Sequence, residues 1–271
     1  MSISSVTLGS WNEIHSYLKP GWMYRGQKST DWPLKTSLER CCEREKIKPK
    51  DRTYIESELL RDFRRAYYQY AEHIPSSESI IEWISLMQHH GAPTRLLDFT
   101  YSIYVAAYFA LESADSNCAV WAVRAPWALV ESVSAFRRIG KHSATRLQAG
   151  TRESHEKVSN QLLFRRPFAR VAVPLSPFRR SERLRTQRAT FLVPGKVSDS
   201  FMANLLALRS HQDSGNFIKI EIPVTLRAEA IERLFAMNIS RTSLFPGLDG
   251  YSKSLGIFHP VFRPDPYLEK R

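Results

Sequence analysis

Thirteen residues near the middle of the chain, Gln88 to Thr100, contain two histidines, an arginine, an aspartate and two threonines. Each of these types suits chemistry near neutral pH. Histidine exchanges protons there. An aspartate stabilises developing positive charge or orients a neighbouring imidazole. Arginine grips anions with a planar fork, and the hydroxyls of Thr94 and Thr100 can donate and accept hydrogen bonds. The turn Gly91-Ala92-Pro93 lies inside the stretch, and the apolar run Val105 to Leu111 follows it. A loop this polar between two buried elements reads as a site. The plainer alternative is a tight turn whose polar side chains bond one another. His89 and His90 cannot share one role, because successive side chains diverge. One is expected to face the site while the other packs, or caps a helix C-terminus where a cationic ring is favoured. Adjacent histidines are also poorly spaced for chelation, which ranks a metal hydrolase last. Arg95 is read either as a partner of Asp98 or as part of the chemistry.

Other candidates lie outside the stretch. Arg25, on a predicted strand end beside Gly26, suits an anionic ligand, because glycine lets a ligand approach the backbone. A structural ion pair is its alternative. Glu56 and Glu58 stand two apart on a predicted helix, so at most one faces the core; both are read as a solvated face. Glu221 alternates outward on a predicted strand and is the reserve carboxylate. Asp249 lies in a turn and is read as structural.

The formal charge is +12 and the isoelectric point about 9.8. Between Arg137 and Arg188 stand fourteen basic residues, twelve of them arginine, against three glutamates, so this segment alone carries +11. A basic segment on a near-neutral body is the footprint of a polyanion. The nucleic-acid contacts expected from it are Arg137, Arg138, Arg165, Arg166, Arg170, Arg179, Arg180 and Arg183. A solvated surface, or a face for an acidic partner such as a neutralising antitoxin, is the alternative. No apolar stretch reaches the roughly 20 residues that span a bilayer, so no membrane is expected. The first five residues lack the basic start and apolar core of a signal peptide. Cys41, Cys42 and Cys118 form neither a disulfide framework nor a zinc spacing. Together these predict a cytoplasmic protein.

These residues need elements to position them. A capping box at Ser10 and Glu13 predicts a helix over 10–18, and Trp22 to Gly26 reads as a strand. Residues 29–37 form a predicted loop that pins Trp32 and Leu34 in the core. Helices are predicted over 54–72, 78–88 and 101–111, and a strand over 119–123. Weak helical pattern near 127–138 and 156–163 breaks up at Pro167, Pro174 and Pro177. Residues 189–193 and 217–222 read as strands. Residues 199–208, capped at Ser198, and 226–237 read as helices. A turn-rich connection then leads into a short final helix. The expected fold is α+β: a single domain over 1–271 with N-terminal helices and a small mixed or antiparallel split sheet. Its core is about 22–125 and 183–255, and 126–182 is a basic insertion.

Three segments resemble the FRG domain, a family named for a Phe-Arg-Gly motif. The first is Tyr24-Arg25-Gly26-Gln27 with Trp32-Pro33-Leu34 and Ser37-Leu38. The second is Trp83 to Gly91, then Thr94 to Thr100, then Ala106-Ala107-Tyr108-Phe109-Ala110. Phe99 stands where the family usually has tryptophan. The third is Arg185-Thr186-Gln187 before Phe191, with Leu244 to Gly250. The motif order is also similar to that of NAD-dependent ADP-ribosyltransferases. That resemblance implies a phosphate-holding arginine at Arg25 within Tyr24-Arg25-Gly26. It implies a Thr-containing strand at 96–100 that leads into the helix with Ala106 and Phe109. Gln187 stands where a Glu or Gln strand is expected, without the common glutamate.

The resemblance thus implies NAD as substrate, held by Tyr24, Arg25, Gly26, Thr94, Arg95 and Thr100. His89, His90, Asp98 and Gln187 become the catalytic candidates. Breaking the nicotinamide–ribose bond develops oxocarbenium character, which needs positioning and a nearby anion; Asp98 is that candidate. With the basic segment, the expectation is an ADP-ribosyltransferase of RNA or DNA in a toxin or anti-phage role. The alternatives are a non-catalytic nucleic-acid-binding module and a transferase that acts on protein.

Overall fold

The computed structural model describes residues 4–71, 74–149, 152–177, 179, 181–208 and 215–258. Cys118–Arg124 (β4) is a continuous apolar run, the pattern of a strand covered on both faces, and all but its last residue are buried. The remaining strands are β1 (Ser4–Thr7), β2 (Trp22–Gln27), β3 (Leu97–Thr100), β5 (Ala172–Leu175), β6 (Ala189–Pro194) and β7 (Phe217–Ile222). They form one sheet in the order β1-β7-β4-β2-β3-β6-β5. β1 and β7 are parallel and the other pairs antiparallel. The fold is α+β, with a mixed sheet larger than the sequence suggested. β1 and β5 were not foreseen. β5 contains Pro174, which an edge strand tolerates.

The helices are α1 (Ser37–Arg44), α2 (Arg52–Tyr67), α3 (Ile80–His89), α4 (Ile103–Leu111), α5 (Ala125–Arg138) and α6 (Arg146–Ala149) in the first part of the chain. After them come α7 (Arg152–Phe164), α8 (Glu182–Thr186), α9 (Phe201–Leu206), α10 (Arg227–Ala236), α11 (Arg241–Leu244) and α12 (Leu248–Phe258). Strand alternation sends Met23, Trp121 and Val123 into one core, with α3, α5, α7 and α9. Trp22, Tyr24, Val120 and Ala122 enter a second core, with α4 and α10.

Several local expectations are corrected. Residues Trp11–Tyr17 form a 3-10 helix, not an α-helix, and Ser10 makes no side-chain cap. Its hydroxyl donates to Glu13 instead, at 3.2 Å. Trp32 is exposed while Leu34 is fully buried. Ser37 starts a helix, capped by Thr36, whose hydroxyl accepts from the Glu39 N–H at 3.1 Å. α9 is capped by Ser200 rather than Ser198. The long second helix stops at Tyr67.

The basic stretch 126–182 is woven into the body. It supplies β5, and Ala128, Phe136, Leu162, Leu163, Val171 and Val173 are buried in the first core. Among the described residues no helix is long and apolar enough to cross a membrane.

The sheet is pinched at its middle. β2 pairs with β4 over six residues, and β3 pairs with β6 over four. Between β2 and β3 only Tyr24 and Thr100 are in register. Beyond that pair the strands part, which gives the expected split the form of a seam in one sheet.

Candidate functional site

The seam opens into a cleft of about 360 Å³. Arg25 follows Tyr24, at the point where β2 and β3 diverge. Its Nη1 donates to the Asp98 backbone carbonyl at 2.7 Å, so a side chain bridges the strands where backbone pairing stops. The same nitrogen lies 3.9 Å from Asp98 Oδ2. Arg25 Nε is buried without a hydrogen-bond partner. Burial lowers the Arg25 pKa, Asp98 opposes that shift, and Arg40 adds to it.

Asp98 is more than half exposed on the cleft wall. Its Oδ1 accepts from Gln88 Nε2 at 2.6 Å. Gln88 is itself oriented: its carbonyl oxygen accepts from the Thr94 hydroxyl. Thr94 Oγ1 accepts in turn from the Leu96 N–H at 3.2 Å. One hydroxyl proton therefore fixes which way the amide points.

His89 ends α3 and lines the cleft, whereas His90 is the C-cap residue. The two rings meet edge to face with centroids 5.0 Å apart. Partial desolvation lowers the His89 pKa, and His90 and Arg183 push it the same way.

Further lining comes from later in the chain. Gln187, at the end of α8, is buried; its Nε2 donates to the Leu244 carbonyl at 3.0 Å, and its own carbonyl accepts from the Thr100 hydroxyl at 2.7 Å. Glu112 is a second carboxylate in the cleft. Arg241 holds it with two hydrogen bonds of 2.5 and 2.9 Å, and the Tyr108 hydroxyl donates to it at 2.9 Å. Burial, then Glu112, raises the Tyr108 pKa. Phe245 carries both Arg183 and Arg241, whose guanidinium carbons lie 4.6 and 4.8 Å from its ring centroid.

The cleft thus collects Tyr24, Arg25, Gly26, His89, Asp98, Thr100, Arg183 and Gln187 from among the expected residues. Tyr24 has a structural task as well. Its fully buried ring sends the hydroxyl to the Tyr17 carbonyl at 2.6 Å.

Other expectations are corrected. Gly26 is required by a helix, since a Cβ there would lie 1.9 Å from the Ala106 carbonyl oxygen of α4. Arg95 is buried outside the cleft. It makes a two-pronged ion pair with Glu56, donates to the Leu163 carbonyl at 2.8 Å and covers the Phe164 ring. Glu56 is therefore no solvated residue, and Arg95 does not pair with Asp98. Thr94 is buried behind Gln88, and its backbone holds Ser37 and Leu38 of α1. Glu221 bonds Lys219 and Ser5, each at 2.9 Å, away from the cleft.

The expected nucleic-acid contacts divide. Arg183 lines the cleft. Arg170 is tied to Asp199. Arg137, Arg138, Arg165 and Arg166 are exposed near the ends of α5 and α7. There Lys141 donates to the carbonyls of Gln161, Leu162 and Arg165 at 3.0, 2.9 and 2.5 Å. Arg179 is exposed and partnered, and Arg180 lies outside the described residues.

Gln88, Glu112, Arg241 and Phe245 were not foreseen as site residues. Gln88 and Phe245 stand inside recognisable motifs, and Glu112 directly follows the apolar helix, but nothing local shows that they face one cleft. Comparison with curated proteins and with solved structures found no match. The third resembling segment, Arg185 onward, lies outside the family match. That match runs from the turn before β2 to the first residue of β4: residues 20–118 fit the FRG domain model.

Proposed function

We propose that this protein is an NAD-dependent ADP-ribosyltransferase that modifies nucleic acid, with the seam cleft as its active site. One observation carries the reading. Arg25, Asp98 and Gln187, from three separate motifs, stand on the walls of one cleft. The donor set fits a dinucleotide. Arg25 Nε is a buried donor with no partner, which a phosphate oxygen satisfies. Arg183 adds a second guanidinium, and Phe109 and Phe245 add apolar surface for a ring. A cleft of this size and mixed lining suits a small-molecule ligand.

NAD supplies a glycosidic bond whose cleavage leaves positive charge on the ribose. Asp98 is the carboxylate assigned to that charge, because Gln88 and Arg25 hold it in one orientation. Glu112 is already neutralised by Arg241 and serves to fix the far wall. His89, kept neutral by its lowered pKa, accepts the proton of the incoming acceptor. Such an activity suits a cytoplasmic toxin or anti-phage effector that a neutralising protein holds in check.

The test is incubation with labelled NAD and RNA, DNA or cell lysate. Label is expected on nucleic acid, and Arg25→Ala is expected to lower transfer about 100-fold, the scale of losing one transition-state donor. No transfer by the wild type, or equal transfer by Arg25→Ala, ends the reading. Label on protein alone reassigns the acceptor.

A second reading, a non-catalytic nucleic-acid-binding module, draws on one observation: the Gln187 amide is tied to Leu244, so the third motif presents no carboxylate. It predicts salt-sensitive binding and no nicotinamide release.

A further inference from the structure

Resting on the reading of the cleft as the transfer site, we propose that the acceptor is a single-stranded nucleic acid that docks across a rim formed by Tyr101, Arg185 and Arg188. α8 presents Arg183, Leu184 and Gln187 to the cleft. On a helix those positions share one side, which leaves Arg185 on another. Arg185 and Arg188 are exposed. Neither has an ion-pair partner among the described residues, in contrast to Arg170, which Asp199 neutralises.

Sequence adjacency fixes where this rim lies. Arg188 follows Gln187, and Tyr101 follows Thr100; Gln187 and Thr100 both line the cleft. The Tyr101 N–H donates to the Arg188 carbonyl at 3.1 Å, which brings the two rim residues together. Arg188 adopts a left-handed backbone, φ 48°, at the step from α8 into β6. The Tyr101 residue is 39 % exposed, on a backbone bonded directly to that of the exposed Arg188.

Arginine next to an exposed aromatic is the chemistry that holds an unpaired strand. The cations meet phosphates, and the ring stacks on a free base face. A duplex hides its base faces, and a reacting base inside it must first leave the stack. An acidic protein would meet Arg185 and Arg188 with carboxylates, whereas an unpaired strand meets the guanidinium groups with phosphates and the ring with a base face. Charge and aromatic together therefore favour a single strand over an acidic partner.

The experiment is fluorescence anisotropy with the full chain and labelled 12-nucleotide probes: single-stranded RNA, single-stranded DNA, the matching duplexes, and poly-glutamate. Tight binding of one or both single strands, with duplexes at least tenfold weaker, is expected. Arg185→Ala with Arg188→Ala should reduce the log–log salt slope by about 1.4, at about 0.7 per phosphate contact on a single strand. Tyr101→Ala should weaken single-strand binding about tenfold, and Tyr101→Phe should keep it. Circular dichroism and thermal melting confirm that these surface variants fold. Equal binding of duplex and single strand, wild-type affinity in the variants, or binding of poly-glutamate alone overturns the proposal. Nicotinamide release is measured separately. Single-strand binding without release removes the transferase and leaves the rim, whereas release without single-strand binding removes the rim alone.

Discussion

Gln88 Nε2 stands 2.6 Å from Asp98 Oδ1, and its direction is set by a threonine outside the cleft. Because Thr94 Oγ1 accepts from the Leu96 N–H, its one proton goes to the Gln88 carbonyl oxygen, and the amide nitrogen is left for Asp98. Thr94→Val breaks this chain without touching ligand. It is expected to lower kcat about tenfold at nearly constant KM, since a misplaced carboxylate costs positioning rather than binding. Steady-state NAD cleavage checks this; a change in KM alone would contradict it.

Gly26 shows what a small residue does where a strand crosses a helix. An added Cβ would meet the Ala106 carbonyl oxygen at 1.9 Å and the Ala110 nitrogen at 2.6 Å, both backbone atoms of α4 that cannot step aside. Gly26→Ala is expected to destabilise the protein by about 3 kcal/mol, the upper end of ordinary overpacking. Denaturant unfolding measures it. A neutral result would mean that β2 and α4 separate at little cost.

The Arg95–Glu56 pair is buried at both ends, with side chains 1 % and 5 % exposed. Glu56→Ala strands a buried cation and is expected to cost about 3–5 kcal/mol. Replacing both, Glu56→Leu with Arg95→Met, is expected to recover most of that loss, because two apolar side chains need no desolvation of charge. A double-mutant cycle by urea unfolding tests the difference. NAD binding by either folded variant should match the wild type, since neither residue lines the cleft.

Desolvation, His90 and Arg183 all hold His89 below its ordinary pKa. A base with a lowered pKa stays neutral to lower pH, so the acid limb of the activity profile is expected below about pH 6.5. His90→Ala removes one of the three influences, lets the His89 pKa rise and should shift that limb to higher pH. His89→Gln should remove the limb. The pH dependence of kcat/KM decides; an unchanged limb in both variants would exclude His89 as the titrating group.

Much of the fold was legible locally. Strands β2, β4, β6 and β7 announce themselves by apolar runs or alternation, and α3 and α4 by apolar spacing, because these patterns depend only on neighbours along the chain. β5 escaped because Pro174 reads as a breaker, and β1 because its polar residues gain a partner only from β7. The stretch Gln88 to Thr100 was recognisable as unusual from residue types alone. That density of polar groups, the basic balance of the segment that ends at Arg188, and the motifs that fit the FRG domain model are all properties of residue order alone.

Which of those groups come together depends on long-range packing. It turned Arg95 inward to Glu56 and kept Asp98 outward toward Gln88 and Arg25. It filled the space beside Gly26 with α4. It also brought Glu112, Arg183, Gln187, Arg241 and Phe245 to the same cleft as Arg25. The physical reason is that a side chain's role follows from which partner fills its hydrogen-bonding and packing needs. Those partners lie far along the chain, 129 residues apart for Arg241 and Glu112. Where β2 and β3 part after Tyr24 and Thr100, long-range pairing itself creates the cleft, and no local pattern encodes that gap.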